Sequence, residues 1–198
     1  MTDHRSSWVR EVSCDRGLVF VKTYDYPSWA DRVRDFGKRT APWARPRPVR
    51  EFDALAWLRS SGLHAPEPLA ACTWRRLGFV ARTALVTAAF DGVPADRVLP
   101  ALGGSERREL ARAIGRLVGR LHELGFRDRN LDLRNLLVRR DGAAFVVAKI
   151  DSPRYCLRRA GPAVDRLARA DWDRLLPQLA PFGVADDARI AGADHRSG

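Results

Sequence analysis

Four side chains in this sequence have the types and surroundings to handle phosphate and a divalent cation: Lys22, Glu51, Asn135 and Asp151. Lys22 lies within Leu18-Val19-Phe20-Val21-Lys22-Thr23-Tyr24, a run apolar enough to be buried on at least one face, and a lysine so placed needs an anion. It is one of only three lysines (Lys22, Lys38 and Lys149) among 35 basic residues, and a compact ammonium suits phosphate as a point charge. The plain alternative is an edge-strand lysine whose long stem carries its charge to solvent. Glu51 has Leu55 and Leu58 at i+4 and i+7, so on a helix its carboxylate projects from the core stripe and requires a cationic partner. Otherwise it serves only the dipole of the helix's first turn. Asn135 and Asp151 offer amide and carboxylate oxygens, the hard ligands that magnesium prefers, although singly each is an ordinary turn former.

The spacing around these residues is more specific than the residues themselves. In Leu121-His122-Glu123-Leu124-Gly125-Phe126-Arg127-Asp128-Arg129-Asn130-Leu131-Asp132-Leu133-Arg134-Asn135-Leu136-Leu137-Val138, a helix ending in Leu-His-x-x-Gly leads through a polar loop into Asn-Leu-Leu-Val. A short hairpin later, Val146-Val147-Ala148-Lys149-Ile150-Asp151 delivers an acid at the end of a strand. This frame resembles the catalytic loop of protein kinases. There, a strand lysine paired with an inward helix glutamate holds the ATP phosphates, while an asparagine and an aspartate hold magnesium.

The chain is also similar to a narrower family, the lipopolysaccharide kinases of the Kdo/WaaP group, from about Leu18 to Tyr155. The likeness rests on Val21-Lys22, on Arg50-Glu51-Phe52 with Leu55, Leu58 and Gly62, and on Ala65-Pro66-Glu67-Pro68-Leu69-Ala70. It continues through Leu121-His122 with Gly125, Asn135-Leu136-Leu137-Val138 and Ile150-Asp151. The resemblance implies a small protein-kinase-like fold at the inner face of the bacterial inner membrane, transferring the γ-phosphate of ATP to a sugar hydroxyl. It assigns Lys22 and Glu51 to the nucleotide, and Asn135 and Asp151 to Mg2+. The acceptor it implies is Kdo or heptose of the lipopolysaccharide core, or a related lipid-linked glycan.

Three departures matter. Counting back five from Asn135 places Asn130 where the family carries its catalytic aspartate, and an amide cannot accept a hydroxyl proton as a carboxylate does. The motif's histidine is replaced by Asp128, while Asp132 sits two residues beyond Asn130, as if acid and amide were exchanged. Asp132 and Asp128 are therefore the candidate surrogate bases, and a pseudokinase that binds nucleotide without turnover is the alternative reading. About seventeen residues precede the Lys22 strand, with Gly17 as the one glycine, so a full Gly-rich phosphate loop is not expected within them. That implies either a less enclosed nucleotide or a chain lacking an N-terminal piece. Asp151-Ser152-Pro153 stands where kinases carry Asp-Phe-Gly, keeping the acid and losing the glycine.

The elements that must position these groups can be read in outline. Alternation predicts a hairpin from residues 8–12 and 18–24, turned at Cys14-Asp15-Arg16-Gly17. Residues 27–48 read as a basic loop with a short helical turn, and residues 49–61 as a helix ended by Gly62. Strands are expected at 69–73 and 79–89, then a long helix capped by Ser105 with Leu110, Ile114, Leu117 and Leu121 as its apolar stripe. A hairpin at 136–138 and 144–150, turned at Asp141-Gly142, precedes a last helix at 163–179, and the tail after Phe182 is expected to fray. The expectation is an α+β, single kinase-like domain over residues 1–198, with a strand-rich N-lobe (about 1–90) and a helical C-lobe (about 91–198).

Composition narrows the field without naming an activity. A net charge of +11 implies attraction to polyanions, including an anionic membrane surface, but no zinc finger, aromatic strand platform or clear helix-turn-helix supports a specific nucleic-acid partner. Cys14, Cys72 and Cys156 are too scattered for a disulfide framework or a zinc site. With no apolar run near ~20 residues and no leader pattern at Met1, the expected location is cytoplasmic, peripheral at the inner membrane if the resemblance holds.

Overall fold

In the computed structural model, residues 7–15, 17–34, 40–43, 45–158 and 162–194 are described. Arg16, Lys38 and Arg39, which the turn and basic-loop readings include, fall outside them. Contacts divide the chain into two units, Met1–Ser60 with Pro66–Phe90, and Ser61–Ala65 with Asp91–Gly198.

In the first unit, alternating residues build β1 (Ser7–Cys14) and β2 (Gly17–Asp25), antiparallel with Val9 opposite Lys22. Gly17 supplies the φ of +99° that the turn needs. A short α1 (Trp29–Arg34) precedes α2 (Arg47–Ser60), which accepts Pro48 in its first turn and turns its Ala54, Leu55 and Leu58 face inward. β3 (Pro68–Arg76) and β4 (Phe79–Ala88) complete a sheet of order β1-β2-β4-β3, against which α2 packs. Lys22 therefore stands on an interior strand, which removes the edge-strand alternative.

The second unit begins with β5 (Val93–Pro94) and α3 (Ala95–Val98), followed by the long α4 (Gly104–Glu123). Its predicted stripe, Leu110, Ile114, Leu117 and Leu121, is buried. The cap differs from expectation. Gly103 occupies the N-cap position, its N–H donates to the Glu106 carboxylate at 3.3 Å, and Ser105 lies inside the first turn. β6 (Phe126–Arg127), β7 (Leu136–Asp141), β8 (Ala144–Lys149) and β9 (Cys156–Leu157) follow, with β5-β7-β8 forming one small sheet and β6-β9 another. α5 (Pro162–Leu179) then leads to a helix that the sequence reading treated as frayed tail, α6 (Ala185–Asp194).

α6 is seated on α4 by small residues. A Cβ on Gly115 would come within 2.0 Å of the Ala188 carbonyl oxygen, and one on Gly119 within 2.5 Å of that of Gly192. The short, polar-rich sequence of α6 carries little amphipathic signal, and its partner glycines lie on a helix read for its leucines. Gly119→Ala should cost about 1–3 kcal/mol through overpacking, read as a lower urea midpoint. An unchanged midpoint would mean that α6 is not seated on α4.

Candidate active site

The first unit contributes an ion pair. Lys22 Nζ lies 3.2 Å from both carboxylate oxygens of Glu51, which α2 holds almost fully buried. The ammonium keeps partial solvent exposure, so the glutamate orients it without enclosing it.

The second unit contributes a loop whose backbone is held in unusual geometry. α4 stops at Gly125, with φ +84°, and the chain passes through β6 into residues 128–132 before a 3-10 turn, Leu133–Asn135, enters β7. Arg129 (φ +59°) and Asp151 (φ +55°) take left-handed backbone that non-glycine residues rarely adopt, and such strain concentrates where the surrounding structure over-determines it. Here Asp171 supplies much of that determination. Its carboxylate accepts from the backbone N–H groups of Asp128 (3.1 Å) and Arg129 (2.9 Å) and lies 3.1 Å from His122 Nε2. The sequence reading missed Asp171. Its signal was an acid beside Trp172 on the inward face of the last helix.

Asn130, Asn135 and Asp151 form one connected group. The Asn130 amide nitrogen donates to the Asp151 carbonyl at 2.9 Å and to its carboxylate at 3.0 Å. Asn135 Nδ2 donates to the Asn130 carbonyl at 3.0 Å, and Ile150 N–H to the Asn135 carbonyl at 3.0 Å. The Asn135 side-chain nitrogen is thus committed, leaving its oxygen as the group for a cation. The amide and carboxylate oxygens of Asn135 and Asp151 suit Mg2+, which typically takes one or two protein ligands and fills its shell with phosphate and water. Among the described residues no cluster of three or more His, Cys, Asp or Glu side chains could hold a metal by itself.

The two candidate surrogate bases are both engaged elsewhere. Asp128 is 1% exposed and lies 3.2 Å from the ammonium of Lys149, itself 0% exposed and bonded to the Ile150 carbonyl. Burial pushes the Asp128 carboxyl above its ordinary value, against the pull of the Lys149 charge and the Ser152 hydroxyl. Its carboxylate is thus enclosed and paired rather than open to solvent. Asp132 is partly exposed but caps the 3-10 turn. It accepts from Arg134 N–H at 3.0 Å and pairs with the Arg134 guanidinium through both oxygens at 2.9 Å. Those hydrogen bonds hold its carboxyl below the usual range.

The structure thus pairs Lys22 with Glu51 in one unit and links Asn130, Asn135 and Asp151 in the other. The chain as a whole matches the family described as Lipopolysaccharide kinase (Kdo/WaaP) family over residues 2–193. It belongs to that family. It is 32% identical over 114 residues to 3-deoxy-D-manno-octulosonic acid kinase of Xylella fastidiosa, in strains 9a5c and M12 alike. Each match covers 58% of this chain and 43% of the relative, so the shared stretch is under half the relatives' length. Among solved structures, WaaP in complex with acyl carrier protein matches 100% of this chain and 77% of its own, with a TM-score of 0.69 and 17% identity. That likeness shows the α+β fold of this kinase family.

The commitment of Asp132 can be measured. A carboxyl held low in the folded state stabilises it above the unfolded value, and that contribution disappears as pH falls through the folded one. In a carboxyl NMR titration Asp132 should titrate below ordinary aspartates, and Arg134→Gln should return it toward them. A midpoint unmoved by Arg134→Gln would show that the pair does not form in solution.

Proposed function

We propose that this chain is an ATP- and Mg2+-dependent phosphotransferase acting on a sugar hydroxyl of a lipid-linked glycan, with Kdo or heptose of lipopolysaccharide core as the acceptor class. The observation that carries the reading is the Lys22–Glu51 pair, an ammonium on an interior strand oriented by a buried glutamate. In this reading residues 1–198 act as one kinase-like domain, and Lys22 holds the nucleotide phosphates while Glu51 fixes its direction. Asn135 and Asp151 hold Mg2+, which when bound neutralises charge on the phosphates. Family membership supports the reaction class, and the relatives named for 3-deoxy-D-manno-octulosonic acid support the acceptor class. A lipid-linked acceptor places the protein at a membrane surface. In this reading the association is peripheral, and no described helix is long and apolar enough to cross a membrane.

With no aspartate at position 130, proton removal from the acceptor falls to Asp132. To serve, Asp132 exchanges its Arg134 contacts for the acceptor hydroxyl, a rearrangement available to a surface pair of small net strength. Positioning and electrostatics carry most of phosphoryl transfer, so a weakened base lowers the rate without abolishing it.

A second reading, a nucleotide-binding pseudokinase, is favoured by one observation. Asn130 is satisfied by Asp151, and neither Asp132 nor Asp128 is poised as a base.

Transfer of labelled γ-phosphate to a panel of lipopolysaccharide-derived acceptors decides between them. Under the first reading Lys22→Met abolishes transfer, Asp132→Asn costs about 10²–10⁴-fold in kcat with nucleotide affinity kept, and Asn130→Asp raises the rate or leaves it alone. A wild type that binds ATP with Mg2+ but transfers nothing, and gains activity only as Asn130→Asp, establishes the second.

A further inference from the structure

The β3–β4 connection is a two-residue turn, Leu77-Gly78, closed by the pairing of Arg76 with Phe79. Both residues have positive φ, +49° at Leu77 and +81° at Gly78, the pattern in which asparagine or glycine is favoured at the first position. A leucine stands there instead, 79% exposed. It neither suits the backbone nor packs into the core, so the fold gives no reason for it.

Its surroundings have the same character. Trp74, three residues before, is 52% exposed, and Trp43, on the neighbouring loop, is 74% exposed. That loop is fastened to the turn. Arg75 Nη1 donates to the Ala41 carbonyl at 3.3 Å and to the Gly78 carbonyl at 3.0 Å, Val80 N–H donates to the Thr40 carbonyl at 3.0 Å, and Pro42 covers Gly78. On the other side, Trp29 meets Phe79 edge-on at 5.6 Å and is itself 45% exposed. Trp74 also lines an open groove on the sheet face with Trp8, Val12 and Val21, so the apolar surface continues from the turn along the sheet.

The charge at this end is basic. Arg75 and Arg76 lead into the turn, and of the acids in this unit Asp25 is paired with Arg82 at 2.6 Å, Asp53 with Arg45 at 2.5 Å, and Asp31 accepts from the Ser28 hydroxyl at 2.6 Å. Tryptophan settles at the headgroup level of a bilayer, leucine inserts below it, and arginine meets anionic phosphates.

We propose that this end of the first unit, with Leu77 at its tip and Trp43 and Trp74 beside it, docks onto an anionic lipid bilayer. The proposal rests on the reading of the chain as a peripheral kinase of a lipid-linked acceptor and names the surface that makes the contact. Leu77 and Trp74 enter the interface while Arg76 pairs with lipid phosphates and Arg75 keeps the loop fastened to the turn. The left-handed backbone at Leu77 holds an apolar side chain outward, where an asparagine would suit the turn and contribute nothing to insertion.

Co-sedimentation of the full chain with vesicles of phosphatidylcholine and phosphatidylglycerol, in about a 7:3 ratio, tests it, beside vesicles of phosphatidylcholine alone. The wild type should bind the anionic vesicles, and Leu77→Asn with Trp74→Ser should weaken binding by about tenfold or more. Leu77→Asn alone should keep or raise the melting temperature, because asparagine fits the turn, so lost binding cannot be put down to unfolding. Both variants should keep wild-type turnover on a delipidated, soluble acceptor. If the double variant binds as the wild type does, this surface is wrong while membrane association stands. If the wild type binds neither vesicle, the membrane reading and the docking surface fall together, and turnover on the soluble acceptor still tests the kinase reading separately. Equal binding to both vesicle types overturns the role given to Arg76.

Discussion

One carboxylate, that of Asp171, fixes the start of the loop between β6 and the Leu133–Asn135 turn. Residues 128–130 form neither helix nor strand, so their backbone groups lack the partners that regular structure supplies, and buried N–H groups left unpaired are costly. Asp171 accepts two of them in succession and approaches His122 as well, so a side chain from α5 ties the loop to the end of α4. With those donors fixed, Arg129 is held at positive φ and Asn130 is turned toward Asp151. The strain at Arg129 is thus offset by hydrogen bonds to a carboxylate, which are stronger than neutral ones. Trp172, next in sequence, packs edge-on against His122 and keeps the anchor dry.

Behind the loop, Asp128, which stands where the motif has histidine, is paired with the buried Lys149. Neither charge is tolerable there alone, since breaking a buried pair by removing one partner typically costs about 3–5 kcal/mol. Together they join the start of the loop to the end of β8, two residues before Asp151. The scarcity of lysine pointed to Lys22, but the same argument applied to Lys149. A chain that uses arginine nearly everywhere keeps a lysine where a bulky fork does not fit, and Lys149 is fully enclosed.

Legibility followed from how local each signal is. The β1–β2 hairpin, the stripe on α4 and the strand ending at Lys149 are written in period and turn residues, and the structure has them within a few positions. The Lys22–Glu51 contact was legible because two independent burial arguments required opposite charges. The helix α6 was not, because what seats it is the absence of side chains at Gly115 and Gly119 on a different helix. Asp171 was missed for a related reason. Its partners are backbone groups about 43 residues away, and backbone groups leave no trace in residue type. The engagement of Asp132 by Arg134 is local, yet the motif drew attention to the acid and away from the arginine two residues on.

The amide at position 130 has a consequence that an aspartate there could not have. A carboxylate so close to Asp151 would repel it unless a cation lay between them. Asn130 instead donates to that carboxylate directly, so the loop is satisfied without metal. That arrangement orients Asp151 in advance, with Asn135 held to the same residue through the Asn130 carbonyl. The site carries one negative charge fewer than it would with an aspartate at position 130, and the Asp151 carboxylate is already oriented by a hydrogen bond. Two residues on, Asp132 offers the loop a carboxylate, but Arg134 occupies both of its oxygens and holds it below its ordinary value. A lowered carboxyl is a weaker proton acceptor, so the role proposed for Asp132 requires that Arg134 first release it. In the proposed reaction, position and charge carry most of the transfer, so a base restrained in this way lowers the rate without abolishing it.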